Sequence, residues 1–252
     1  MTGADDPADT RADQRAVAAR VAEARARIDA AAPDPSSVRL VAVTKGFGVD
    51  AVAAALAAGV FDVGENYADE LVSKAEALQV TAPGGTGPAP TGQAATWQAA
   101  TGPDVRWHYL GAIQRNKVAR LAPLVDCWQS VARIEEGRAI ARRRPGASVL
   151  VQVDVVGGKG RNGCPPEEVS GLVAALGDEE LDVVGLMTIG PMGPAEASRP
   201  AFALVRALAT RLGLAECSMG MTDDMDVALS EGSTMVRLGR ALFGERPRRD
   251  GG

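Results

Sequence analysis

The run Leu40 to Thr44 is apolar enough for a buried strand, and Lys45 follows it directly. The chain carries four lysines, Lys45, Lys74, Lys117 and Lys159, against 23 arginines. A lysine kept at a strand end in a chain that otherwise uses arginine points to chemistry that a guanidinium cannot do. A neutral amine attacks carbonyl carbon and forms imines, and burial or nearby cations free its lone pair by lowering its pKa; a guanidinium stays protonated. The competing reading is a lysine that snorkels or pairs with a carboxylate.

Other chemistries are limited by counts. His108 is the single histidine, so a multi-histidine metal site is excluded and any Ser-His-Asp or Cys-His arrangement would have to use it. Cys127, Cys164 and Cys217 are odd in number and widely spaced, which suggests neither a disulfide framework nor a zinc knuckle. The net charge of −5 lacks the basic footprint of a nucleic-acid binder. No apolar run approaches the roughly 20 residues of a membrane span, and the acidic, polar N-terminus is unlike a signal peptide. A soluble cytoplasmic protein is expected.

The elements that must position Lys45 can be read from periodicity. Residues 1–11 read as disordered, and 12–32 as a helix with Val17, Val21, Ala24 and Ile28 on one face. Strand-like runs follow at 39–44, 60–63, 106–110, 125–129, 148–155, 181–188, 215–219 and 235–238. Helical stretches near 50–58, 66–79, 113–121, 131–143, 166–176, 196–212, 223–231 and 240–244 alternate with them. The strands are continuous apolar runs, as parallel strands covered on both faces should be. Eight β-α units in this length predict a TIM (β/α)8 barrel spanning 12–247, with a doubly wound open sheet as the alternative. The Gly/Pro/Thr/Ala-rich segment 80–104 reads as a flexible insertion, and 248–252 as a tail. The Gly-rich stretch 155–163 lacks the spacing of a P-loop and reads as a mobile loop.

In such a barrel the chemistry sits at the C-terminal ends of the strands. Read in order, those ends offer Lys45, then Glu65 and Asn66, His108 within the third strand, Gly220 and Thr222 after the seventh, and Arg237, Gly239 and Arg240 at the eighth. The loops after strands seven and eight are the common phosphate site of the fold, and glycines there let backbone N–H groups approach an anion. Thr222 reads equally as a helix cap or as a phosphate contact. A lysine facing a phosphate site suits a phosphorylated aldehyde, of which pyridoxal phosphate is the commonest cofactor.

Five segments, AVTKGFGVDAV, GENYADEL, WHYLGAIQRNKV, GLMTIGP and SMGMTDDMDVALSEGSTMVRLGRALFGERP, together resemble the pyridoxal phosphate homeostasis proteins, which are related to the N-terminal barrel domain of alanine racemases. The resemblance runs from about residue 12 to 247 and implies a fold-type III barrel binding pyridoxal 5′-phosphate (PLP). It places Lys45 at the Schiff-base lysine, Asn66 near the cofactor ring and Arg237 opposite the pyridine nitrogen. It places Thr222, Gly239 and the backbone of Arg240 at the phosphate. His108, Asn116 and Lys117 match motif residues without an assigned role; His108 is a cofactor-binding candidate and reads equally as a core histidine satisfied by backbone. Departures are Thr222 where serine is usual, Arg240 where threonine is frequent, and Arg161-Asn162-Gly163 in place of a Lys-Ser-Gly-like step. A side-chain pairing of Arg240 with the phosphate is the alternative to the backbone contact.

The implied function follows from the arginine. Opposite the pyridine nitrogen it keeps that nitrogen unprotonated and the ring a poor electron sink. The only tyrosines, Tyr67 and Tyr109, match no second racemase base, and the sequence lacks the β-rich second domain of alanine racemase. The resemblance therefore implies a monomeric PLP carrier and regulator that supplies PLP-dependent apo-enzymes. The alternatives are a PLP-dependent amino-acid racemase of narrow scope, or a barrel with a vestigial site acting in protein–protein interaction through 80–104.

Overall fold

The computed structural model describes residues 7–81, 105–157 and 162–245. Within them eight parallel strands close into a barrel in sequence order. The strands are β1 (Arg39–Val43), β2 (Asp62–Glu65), β3 (Arg106–Tyr109), β4 (Val125–Val131), β5 (Ser148–Val153), β6 (Asp182–Thr188), β7 (Glu216–Ser218) and β8 (Met235–Leu238). The helices are α1 (Pro7–Ala31), α2 (Val49–Ala57), α3 (Ala68–Thr81), α4 (Val118–Leu121), α5 (Ile134–Ala141), α6 (Val169–Asp178), α7 (Arg199–Arg211), α8 (Met225–Ser230) and α9 (Arg240–Phe243). Closure is made by β8 against β1, with Leu40 opposite Val236 and Val41 opposite Arg237, which removes the open-sheet alternative.

Period-2 alternation separates two cores. Leu40, Ala42, Val236 and Leu238 face outward and pack with Val17, Val21, Ala24 and Ile28 of α1, the face expected from helical spacing. Trp107, Trp128, Leu186 and Phe202 belong to the larger outer core between barrel and helices. Full burial of such side chains contributes about 1.5–3 kcal/mol each. Inside the barrel the apolar cluster is small, Cys127, Leu150 and Met187, and much of the remaining interior is polar. Burial pushes all three thiols up, Cys164 to about 11, so none is a ready thiolate.

Several boundaries differ from expectation. Helix α1 begins at Pro7, so residues 7–11 belong to it and are not a separate disordered segment. Strand β2 runs later than 60–63, because Val60 packs outward into the α1 cluster and pairing with β1 starts at Asp62. Helix α4 is a single turn, since Lys117 N and Val118 N bond back to Gln114 and Arg115 in turns before it. The expected insertion at 80–104 lies outside the described residues except for its first two, which end α3. Residues 1–6, the tail 248–252 and residues 158–161 of the 155–163 loop also lie outside them. Among the described residues, no helix is long and apolar enough to cross a membrane.

Candidate functional site

The site is built from the C-terminal ends of β7, β8, β1 and β2, which are consecutive around the barrel. Lys45 lies in the turn just beyond the end of β1, at this rim of the barrel, and is half-buried. Its loop is fixed on both flanks. Thr44 N donates to Gly64 O at 3.0 Å, and Thr44 Oγ1 donates to Glu65 Oε1 at 2.5 Å. Lys74 Nζ reaches from α3 to Thr44 O at 2.8 Å and to Glu65 Oε1 at 2.5 Å. Gly46 N donates to Glu70 Oε2 at 2.8 Å, and Gly46 takes φ 77°, a turn that favours glycine. Phe47 packs on Phe243 of α9 with ring centroids 5.3 Å apart, tying this loop to the element after β8.

Asn66 follows β2 with the inward parity of Asp62 and Gly64. Its Oδ1 is buried and has no hydrogen-bond partner within the protein. A side chain at Gly111 would overlap the Asn66 carbonyl, so the β2 and β3 loops meet backbone to backbone. Such an orphaned acceptor is costly unless something donates to it, and a bound polar ligand beside Lys45 would.

On the other flank, Arg237 is 5% exposed. Its Nη1 donates to Ser218 Oγ and its Nη2 to Thr188 O, both at 2.7 Å. Burial pulls its pKa down to about 10, opposed by the Asp224 carboxylate, so it stays a cation at neutral pH. Arg237 N bonds to Gly220 O at 3.1 Å, joining the two glycine-containing ends. A Cβ on Gly239 would sit 3.2 Å from Val43 O, so only a bare backbone lies easily against β1 here.

The expected residues are therefore distributed as follows. Lys45, Asn66, Arg237, Gly239 and the Gly220–Thr222 loop share one end of the barrel. Thr222 does not cap α8: the N-cap is Asp224, whose Oδ1 accepts from Met221 N at 2.7 Å. Its hydroxyl is not committed as the helix cap. The Arg240 side chain is exposed and lies 3.7 Å from Asp223, so it turns toward the β7 loop rather than inward. His108 departs most from expectation. It is buried inside the barrel and satisfied by side chains, not backbone: Nε2 lies 2.9 Å from Asp62 Oδ1 and Nδ1 lies 2.7 Å from Gln129 Nε2. Lys117 pairs with Asp69 at 3.1 Å on the surface, and Asn116 is exposed.

Lys74, Glu70, Gln129 and Ser218 escaped the sequence reading. Lys74 carried a signal in the scarcity of lysine and its i,i+4 spacing from Glu70. Gln129 carried none, since a glutamine at the end of an apolar run resembles the start of a loop.

Residues 12–247 match the alanine racemase N-terminal domain family. The chain is 37% identical over 238 residues to the pyridoxal phosphate homeostasis protein of Pseudomonas aeruginosa, covering 91% of this chain and 93% of that one. It is 33% identical over 254 residues to the protein of the same name from Bos taurus, covering 92% and 85%. PipY of Synechococcus elongatus, solved with PLP bound, superposes with a TM-score of 0.73 at 28% identity, covering 90% of this chain and 100% of that one. The chain belongs to the pyridoxal phosphate homeostasis protein family, within the alanine racemase N-terminal domain family.

Proposed function

We propose that this protein binds pyridoxal 5′-phosphate as a Schiff base on Lys45 and serves PLP homeostasis in the cell, holding the reactive aldehyde and supplying it to PLP-dependent apo-enzymes. The observation that carries this reading is the buried, unpartnered Asn66 Oδ1 beside the Lys45 loop, with Arg237 on the opposite flank. Bound there, PLP supplies an aldehyde for the amine and a ring able to delocalise charge. Lys45 would supply the amine. Asn66 would hold the edge of the ring, while Thr222 and the backbone of Gly239 and Arg240 would hold the phosphate. The hydrogen bonds of Arg237 go to a neutral hydroxyl and a carbonyl, with no ion pair, so its cation, set opposite the ring nitrogen, would oppose protonation there. That weakens the ring as an electron sink and favours holding over turnover. Tyr109 is a poor base at neutral pH, because burial pushes its phenol up.

Lys45→Arg tests the reading, since it keeps the charge and removes the imine. The expected result is a folded protein without the visible absorbance band of the wild type, and borohydride reduction of wild type that marks the Lys45 peptide alone. A modified peptide elsewhere, or an unchanged band in Lys45→Arg, overturns the assignment. Racemisation of L- or D-amino acids well above the rate of free PLP overturns the carrier reading.

A further inference from the structure

A line of hydrogen bonds crosses the barrel interior from Arg237 to its opposite end. Arg237 Nη1 donates to Ser218 Oγ at 2.7 Å. Ser218 Oγ donates to Gln129 Oε1 at 2.6 Å. Gln129 Nε2 lies 2.7 Å from His108 Nδ1, and His108 Nε2 lies 2.9 Å from Asp62 Oδ1. Arg106 closes the line with two bonds to Asp62, Nε to Oδ1 at 3.0 Å and Nη2 to Oδ2 at 2.5 Å. Arg237, Ser218, Gln129, His108 and Asp62 are each 5% exposed or less. They come from β8, β7, β4, β3 and β2.

The directions of the bonds follow from the two ends. Burial pushes the Asp62 carboxyl up, but hydrogen bonds from His108 and Arg106, with the Arg106 charge, outweigh it and hold it well below the usual range. A carboxylate only accepts, so His108 Nε2 carries a proton and donates. At the other end a guanidinium only donates, so Ser218 Oγ accepts from Arg237 and gives its own proton to Gln129 Oε1. Gln129 Nε2 then faces His108 Nδ1, which accepts from it. Thr188 O holds Nη2 of the same guanidinium at 2.7 Å. With both terminal nitrogens fixed, the guanidinium plane is fixed.

We infer that His108, Gln129 and Ser218 are positioning residues for Arg237, orienting its guanidinium toward the bound cofactor through a hydrogen-bond line anchored at its far end by Asp62 and Arg106. The inference rests on the reading of Arg237 as the group facing the PLP ring. It also accounts for a buried histidine that touches no part of the candidate site.

The test uses the full chain and the fact that His108 is the only histidine, so its ring nitrogen resonances need no assignment. In the protein without PLP, 15N spectra should show the Nε2-protonated tautomer, and Ser218→Ala should shift the Nδ1 resonance. A ring protonated on Nδ1 overturns the inference whether or not PLP binds. In the PLP-bound protein, Gln129→Met should weaken PLP on the order of tenfold, the scale of a lost hydrogen bond serving a charged group, and shift the absorbance maximum. In an Arg237→Leu background, Gln129→Met should change PLP affinity by less than about twofold, since coupled residues are not additive. Equal losses in both backgrounds, or no loss in either, overturn the inference. If Gln129→Met does not fold, the wild-type tautomer and Ser218→Ala decide. An Arg237→Leu variant with unchanged PLP affinity and absorbance refutes the reading of Arg237 instead.

Discussion

Lys74→Met tests what holds the Lys45 loop. Lys74 is 5% exposed and bonds at once to the Thr44 carbonyl and to Glu65, with Glu70 3.8 Å away. Glu65 is fully buried; its Oε1 also accepts from Thr44, and its Oε2 has no partner in the protein. Burial pushes this carboxyl up, against the charge and hydrogen bond of Lys74. Methionine keeps an aliphatic stem of similar length and removes the cation, leaving a buried carboxylate with one hydroxyl donor. Breaking a buried pair from one side costs about 3–5 kcal/mol. Glu65 escapes part of that by taking a proton, so about 3 kcal/mol at neutral pH is the expected loss. Its sign with pH is fixed: without Lys74 the folded pKa of Glu65 rises further above its unfolded value near 4.5. A carboxyl raised on folding stabilises at low pH and loses that as pH rises through the folded pKa. The deficit relative to wild type should therefore grow as pH rises above 4.5. Guanidinium denaturation followed by far-UV circular dichroism measures it. Adding Glu65→Gln, which keeps the Thr44 contact without a charge, should recover half of the loss or more. A loss under about 1 kcal/mol, a deficit flat with pH, or a double variant no better than the single one would refute the pairing argument.

Two further perturbations probe the frame. Asp62, held below its unfolded value of 3.8, contributes stability that is present above that pH and is lost as pH falls through the folded pKa. The gap in urea midpoint between wild type and Asp62→Asn should be constant near neutral pH and narrow below pH 3.8; a gap unchanged in acid would contradict this. Gly220 has φ 94°, and a Cβ there would lie 2.5 Å from Ala228 Cβ. Gly220→Ala should therefore cost about 2 kcal/mol or more in chemical denaturation and weaken PLP binding, while an alanine tolerated without loss would show that the loop relaxes freely.

The alternation of eight β-α units was legible in the sequence, because most strands are near-continuous apolar runs bounded by helical stretches; the choice of a closed barrel over an open sheet was not. Local periodicity is what burial on one or two faces demands, so Val17, Val21, Ala24 and Ile28 revealed the buried face of α1 before any fold was known. The sequence also singled out Lys45 as a candidate, a lysine at the end of such a run in a chain that otherwise uses arginine. Closure of β8 on β1 was not local. It needed Val41 beside Arg237, and only that pairing put the end of β8 next to the lysine. Tertiary structure also decided which polar groups are paid for by partners. Thr222 looked like a cap, but Asp224 holds that position. His108 looked like a site residue or a histidine bonded to backbone, and instead it joins Asp62 to Gln129. Those partners lie 46 and 21 residues away along the chain. Hydrogen bonds between residues so far apart in sequence leave no periodic trace. They exist only once the barrel brings the inward faces of its strands together.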